Sequence, residues 1–180
     1  MELLLCPSSH MFLNSQPRNN FHGVILMEGE WKPPEWWCRK QRPTSDEAYF
    51  ENMSRLIFQA GLNWKVIDKK WSTIKTAFAK FSPVTISCLT NSDVARLMND
   101  TGIVRKKAKI LATIHNATEF QNIKKQYGSF QKYIDSLDKD KNYAQAVKEL
   151  TKRFKHMGQS SASLFLYTVG EKIEPWDMPQ

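Results

Sequence analysis

Apolar side chains recur every three or four residues along most of this chain, a spacing that indicates amphipathic helices. The pattern is clearest in residues 50–64, where four apolar residues fall on one helical face: Met53, Leu56, Ile57 and Ala60. Alternation at a period of two, which would indicate strands, is almost absent. The sequence therefore predicts an all-α protein.

Capping and helix-closing residues divide this pattern into separate helices. Thr44 and Glu47 form a capping box that starts the opening helix near Ser45. Gly61 suits the left-handed residue that closes a helix, and Asn63 can cap the next one. Further helices are predicted at about 64–81, 84–89, 93–99, 103–125, 129–137, 143–154 and 161–169.

The chain length fits one domain, preceded by a segment of different character. Residues 1–30 carry no sustained periodicity and are expected to form a loose or partly disordered leader. A single α-helical domain is expected over residues 31–180. Two tryptophans near its start, Trp36 and Trp37, follow a pair of prolines that exclude a regular helix. They either lie over the core as an extended strap or line a pocket for a flat ligand.

The charge balance and the cysteines narrow the function classes. The net charge of +8 favours a polyanionic partner. The three cysteines, Cys6, Cys38 and Cys88, form no CxxC pair, so neither a disulfide framework nor a sulfur-rich zinc site is predicted. No apolar run approaches the roughly 18–20 residues of a membrane span. We expect a monomeric protein in the cytoplasm with the nucleoid, or in the nucleus of a eukaryote.

The turn between the first two helices is unusually apolar. Leu62 and Trp64 stand at a sharp corner where small polar residues are more common. Either the two side chains fill the core, or they contact a ligand. The pattern leaves both interpretations open.

A second feature is the short basic connection at residues 152–160. Gly158 removes a side chain where another backbone could come close, and the next helix begins with amides that lack internal partners. The helix dipole adds to this preference for an anion, so a DNA phosphate fits the site. The predicted phosphate contacts are Lys155, His156, Gly158, Gln159 and Ser160. The alternative is a plain connection between two core helices. A basic cluster at 105–109 is a candidate for a second phosphate contact.

These residues resemble the 3-methyladenine DNA glycosylase I family of the helix-hairpin-helix superfamily. The resemblance covers roughly residues 45–170, and its most specific string is residues 59–64. Further matching positions are Phe78, Phe81, Gly102, Lys109, Ile110, Asn116, Ala117, Arg153, Phe154, Lys155, Gly158 and Gly170.

The resemblance implies the helix-hairpin-helix glycosylase fold and a monofunctional enzyme that needs no cofactor. Such an enzyme flips an alkylated purine out of double-stranded DNA and removes it. The family's intercalating plug would be Leu62, with Gln59 beside it. Trp64 would stack on the flipped base, whose positive charge is attracted to an indole face. Ser160 stands where lyase-type relatives carry a lysine, so strand cleavage is not expected.

This chain differs from the family pattern in two places, and these differences limit which of the family's residue roles can be assigned to it. Family members hold zinc with Cys and His residues near both chain ends. Here Cys6 and His10 have no counterparts after Gly170, so no metal is predicted. The family glutamate that bonds the adenine edge corresponds to Leu56, which would line the base pocket without that contact.

Either the pocket accepts another alkylated base, or a different carboxylate takes the part of that glutamate, or activity is lost. The candidate catalytic residues are Glu51, Glu174 and Asp177. Two rival hypotheses remain. One is a protein of the same fold that binds damaged DNA without chemistry. The other is an α-helical protein-interaction module.

Overall fold

The computed structural model describes residues 42–173, and within this range the chain is helical and contains no strand. The eight α-helices of this range are α1 (Asp46–Gln59), α2 (Trp64–Ala77), α3 (Pro83–Ser87), α4 (Asn91–Asn99), α5 (Lys107–Tyr127), α6 (Phe130–Ser136), α7 (Asp140–Arg153) and α8 (Gln159–Thr168). The predicted all-α class is confirmed. None of the described helices combines the length and apolar character that crossing a membrane requires.

The limits of α1 follow largely from local chemistry. Its cap is Ser45 rather than the expected Thr44, because the Ser45 hydroxyl accepts the N–H of Ala48 at 3.2 Å. At the other end Gly61 has a φ of +68°, as predicted for a residue that closes a helix. The side chain of Asn63 then caps α2 by accepting the N–H of Lys65 at 3.0 Å. The corner between α1 and α2 is therefore built as the sequence predicts.

Helix α2 ends at Ala77, four residues earlier than expected. Ala79, Lys80 and Phe81 all adopt positive φ, between +48° and +57°. Such conformations are unfavourable for L-residues with side chains. They turn the chain so that Phe81 is buried and stacks on Trp71 with 5.1 Å between ring centroids. Burial of this aromatic pair offsets the local cost and sets where the helix stops.

Helix α1 is the central element of the core and packs against α2, α3, α5, α6 and α8. Its fully buried Phe50 meets Phe120 of α5 edge to face, at 4.9 Å between ring centroids. Phe120 in turn stacks on Phe130 of α6 at 3.9 Å. These aromatic contacts fix α5 against α1, and this pairing positions Lys109 and Asn116 of α5.

A charged cluster joins the two ends of the described range. The buried carboxylate of Glu171 forms an ion pair with Arg42 and accepts from Lys139 at 2.8 Å and Tyr143 at 2.9 Å. Burial alone would raise the pKa of Glu171, but the hydrogen bonds from Lys139, Tyr143 and Arg42 hold that pKa below its ordinary value. The cluster ties the segment before α1 to the segment after α8.

We expect Glu171→Gln to lower the free energy of unfolding by about 1 to 3 kcal/mol at neutral pH, since charge-assisted hydrogen bonds are lost. A carboxylate whose folded pKa is depressed stabilises the protein above its unfolded pKa and loses that contribution as the pH falls. The difference between wild type and Glu171→Gln should therefore shrink below about pH 4.5. Urea unfolding at several pH values measures it, with the exposed Glu47→Gln as control. A constant difference down to pH 3 would contradict the assignment.

Candidate functional site

The corner between α1 and α2 places two apolar side chains at the edge of the core. Leu62 and Trp64 are both half-buried and pack against the core. The backbone here is held by the N–H of Leu62, which donates to the carbonyl of Gln59 at 3.0 Å. Gly61 is exposed, and a Cβ on it would meet nothing within 4 Å. The corner thus combines anchored apolar side chains with an open, exposed backbone.

Gln59 lies inside this corner, which corrects the prediction that it stands beside Leu62 in a DNA gap. Its side chain is only 1% exposed, and its amide donates to the carboxylate of Asp68 at 3.2 Å. Because a carboxylate only accepts, the amide nitrogen of Gln59 must face Asp68. Gln59 therefore supports the turn from beneath, and Leu62 alone remains of the predicted intercalating pair.

The predicted base-pocket and catalytic residues have different outcomes. Leu56 is 4% exposed and belongs to the apolar core. Glu51 accepts from the indole of Trp71 at 3.1 Å and from Lys75 at 2.7 Å. Both carboxylate oxygens of Glu51 are thus engaged in fixing α2 on α1, and its catalytic role stays a prediction. The other predicted residues of these two sets lie outside the described residues: Trp36, Trp37, Glu174 and Asp177.

Lys109 was predicted as part of a basic surface cluster, but it points inward. It is 9% exposed, and its ammonium donates to the carbonyl oxygens of Ile57 and Ala60, the latter at 2.7 Å. Burial and the neighbouring charge of Lys106 lower the pKa of Lys109 to about 8. The second phosphate contact suggested for residues 105–109 therefore excludes Lys109.

The basic hairpin after α7 is anchored from inside and exposed at its tip. Phe154 and Met157 are buried at 2% and 3% exposure, while the two residues between them, Lys155 and His156, are exposed. The buried Asn116 of α5 accepts the N–H of Lys155 at 2.8 Å and donates to its carbonyl at 3.1 Å. A single side chain thus satisfies both backbone groups of one hairpin residue.

Helix α8 begins at this hairpin without a side-chain cap. Gly158 is the cap residue, and its carbonyl accepts the first intrahelical bond from Ala162 at 2.8 Å. The amides of Gln159, Ser160 and Ser161 precede that bond, so the helix itself offers them no acceptor. Gln159 and Ser160 are exposed. The predicted phosphate-binding residues are therefore brought together on one accessible surface.

Gly158 has an unusual property for a glycine in a tight connection. Its φ of −77° is available to any residue, and a Cβ on it would meet nothing within 4 Å. Gly170 is the opposite case, with a φ of +89° and a hypothetical Cβ 3.1 Å from the side chain of Arg42. The fold therefore requires glycine at 170 but not at 158.

Helix α5 contacts both the corner and the hairpin, and the sequence predicts neither contact. Lys109 holds the corner that carries Leu62, and Asn116 holds the hairpin. The two residues lie seven positions apart on one helical face, which corresponds to about 10 Å along the axis. The signal available in the sequence is that polar residues interrupt the inward apolar stripe of α5 at these positions.

Metal ligands are not found among the residues that the structure describes. In residues 42–173 no group of three or more His, Cys, Asp or Glu side chains is arranged to hold a metal ion. The family's zinc therefore has no matching ligand set in this range. Cys6 and His10 lie outside it, and the absence of a metal stays a prediction.

The family model and the following relatives of this chain are all named as methyladenine glycosylases. The family model described as methyladenine glycosylase matches residues 34–165. DNA-3-methyladenine glycosylase 1 of Escherichia coli K12 is 31% identical over 111 residues, which cover 62% of this chain and 55% of that protein. DNA-3-methyladenine glycosylase of Haemophilus influenzae is 30% identical over 121 residues, which cover 67% and 61%. The chain thus spans little more than half the length of these curated relatives.

Solved structures agree with the fold. A crystal structure of a 3-methyladenine DNA glycosylase I aligns with a TM-score of 0.63 at 28% identity, covering 72% of this chain and 81% of that one. A 3-methyladenine DNA glycosylase I of Staphylococcus aureus, whose structure concerns 3-methyladenine recognition, aligns with a TM-score of 0.66 at 25% identity and covers 84% and 95%. The predicted helix-hairpin-helix glycosylase fold is confirmed.

Proposed function

The chain belongs to the methyladenine glycosylase family, and from this premise we propose that it removes alkylated purines of the 3-methyladenine type from double-stranded DNA. The enzyme is a monofunctional hydrolase that needs no cofactor and acts as a monomer wherever the cell keeps its DNA. Leu62 fills the gap left by the flipped nucleotide, and Trp64 stacks on the flipped base. The exposed hairpin and the first amides of α8 bind the DNA backbone.

The observation that carries the proposal is the glycine at position 158. Glycine is a common helix cap, but neither its ordinary φ nor any protein atom near its Cα requires glycine at this position. A backbone phosphate bound by the amides of Gln159 and Ser160 would occupy that space. Exposed Lys155 and His156 lie just before it in the chain and would supply positive charge or donors to the same phosphate.

At the proposed site of Trp64 and Leu56, base removal depends on binding of the lesion more than on acid–base catalysis. An N3-alkylated adenine is cationic and departs as a neutral base, so its glycosidic bond is already weakened. A Trp64 face favours the cation by about 2 kcal/mol in a desolvated pocket. The apolar Leu56 excludes water without offering a hydrogen bond. The indole face therefore acts mainly in binding the extruded cation: as the glycosidic bond breaks, the positive charge passes to the deoxyribose carbon, which bonds to the oxygen of a water molecule while that water loses a proton to solvent and the base leaves neutral.

Gly158→Ala tests the backbone contact. We expect a change in the free energy of unfolding of no more than about 1 kcal/mol, because the new Cβ meets no protein atom. The affinity for duplex DNA should fall by about tenfold or more, because that Cβ occupies the place of the phosphate. Fluorescence anisotropy with a labelled duplex gives the affinity, and thermal melting gives the stability.

Gly170→Ala is the matched control for this experiment. Its positive φ and the nearby Arg42 side chain predict a loss of stability. Its duplex affinity per folded molecule should stay within about threefold of wild type, since this glycine belongs to the charged cluster at Glu171. A Gly158→Ala protein with wild-type affinity would contradict the phosphate site.

A second candidate function is binding of damaged DNA without base removal. The observation that favours it is the core position of Leu56, together with the engagement of Glu51 by Trp71 and Lys75. It predicts salt-sensitive binding to DNA that contains an abasic site, with no base released.

A further inference from the structure

Lys109 occupies a position that costs the fold free energy. It lies in the first turn of α5, where the helix dipole disfavours a cation, and it follows the exposed cations Lys106 and Lys107. Its ammonium is also removed from most solvent, which disfavours the charged form. An apolar residue would fit the stripe that continues with Ile110. A lysine at this position therefore needs compensating contacts for its ammonium nearby.

Those compensating contacts are found at the end of α1. The last carbonyls of a helix have no partner within it, and a cation there is favourable for the dipole. In the last turn of α1 the carbonyl of Leu56 accepts from Ala60, and that of Gln59 accepts from Leu62. Lys109 donates to two others, those of Ile57 and Ala60. The ammonium thus joins the last turn of the helix to the first residue beyond it.

Lys109 is the restraint on this corner that comes from α5, in addition to the N–H of Leu62, which donates to Gln59, and the packing of Leu62 and Trp64 against the core. Gly61 has open space around its Cα, and Gly61 and Asn63 are exposed. Leu62 lies only two residues beyond Ala60, so the orientation of the Ala60 peptide sets the direction in which the Leu62 backbone leaves the helix. A turn with a glycine in its middle would otherwise sample many conformations.

We propose that Lys109 is a positioning residue that holds the corner in the conformation from which Leu62 enters the duplex. The inference rests on the proposed function, because Leu62 matters to DNA only as a plug. Lys109 does not touch DNA. It lowers the cost of insertion by ordering residues 60–62 before DNA arrives.

Lys109→Met tests the proposal, with Lys125→Met as a control that removes the same charge from an exposed position near the other end of α5. Insertion is measured with a duplex that carries a tetrahydrofuran abasic site next to 2-aminopurine, whose fluorescence rises when the neighbouring base stack is opened. This readout requires no base release. Affinity for undamaged duplex reports the hairpin alone.

We expect Lys109→Met to reduce the 2-aminopurine signal and the release of 3-methyladenine from alkylated duplex by about tenfold or more. Its affinity for undamaged duplex should stay within about threefold of that of Lys125→Met. Lys109→Arg, which keeps donors for both carbonyls, should restore part of the signal. These results together would separate positioning of the plug from a general loss of structure.

Two outcomes would overturn the proposal. One is an insertion signal in Lys109→Met equal to that in Lys125→Met. The other is an equal loss of insertion and of affinity for undamaged duplex, which would assign Lys109 to overall stability. If wild type gives the insertion signal but releases no base, the proposed enzymatic function fails while the role of Lys109 is still measured.

Discussion

Trp64→Ala is expected to lower the release of 3-methyladenine from alkylated duplex DNA by about 100-fold or more. Stacking of a base on an aromatic ring contributes about 1–3 kcal/mol, and the positive charge of the lesion adds about 2 kcal/mol in a desolvated site. A loss of about 2.7 kcal/mol corresponds to 100-fold. The measurement is kcat/KM for base release, with the amount of folded protein matched by circular dichroism.

Val66→Ala is the matched control for Trp64→Ala. Val66 lies in the same first turn of α2 but is 46% exposed and outside the core. It should retain activity within about twofold of wild type. Release by Trp64→Ala at the wild-type rate would remove Trp64 from the base pocket and leave the half-buried indole as a packing residue at the corner.

Asn116→Ala is expected to release the hairpin from the core. This is the second of the two largest effects that we predict. The substitution leaves the N–H and carbonyl of Lys155 without their protein partners. Unsatisfied groups of this kind cost about 1–3 kcal/mol, so we expect the free energy of unfolding to fall by about 2 kcal/mol. Duplex affinity should fall by about tenfold, because the phosphate-binding amides are no longer held in place.

Two further variants make the Asn116 result specific. Asn116→Asp keeps an acceptor for the N–H of Lys155 but loses the donor to its carbonyl, and should give an intermediate affinity. Asn122→Ala removes an exposed amide on the same helix that donates to Glu119, and should change stability by no more than about 0.5 kcal/mol. Unchanged duplex affinity in Asn116→Ala would show that the hairpin does not need this anchor to bind DNA.

The corner between α1 and α2 could be predicted from the sequence because its determinants are local. Gly61 and Asn63 act on the backbone within a few residues of themselves, and both predictions are confirmed. Of the predicted apolar stripe of α1, Met53, Leu56 and Ile57 are buried, whereas Ala60 is exposed and lies just beyond the end of the helix. The choice between the neighbouring hydroxyls of Thr44 and Ser45 was wrong by one residue, since both have suitable side chains.

The errors occur where distant residues decide the outcome. Helix α2 ends early because Phe81 has to reach Trp71, a contact that the helical pattern does not reveal. Gln59 is held under the turn by Asp68, a residue of the next helix. The roles of Lys109 and Asn116 depend on partners 49 and 39 residues away. A single sequence shows these two only as polar residues on an inward face.

This chain differs from the family pattern at position 56, where it has Leu56, and the difference bears on how a base would be recognised. The resemblance implies a glutamate there, and the structure places an apolar side chain in the core at that position. If the proposed function is correct, recognition would rely on stacking, charge and the exclusion of water. A site of that kind would favour bases that are cationic and leave readily, which is the property shared by N3-alkylated purines.

The most direct test of the account is mass-spectrometric identification of the free bases released when the wild-type protein is incubated with methylated duplex DNA. We expect free 3-methyladenine to appear in proportion to enzyme concentration and time, and we expect the DNA strands to stay intact. Tight binding to abasic-site DNA without any released base would contradict it, and would assign this chain to recognition of damage without removal.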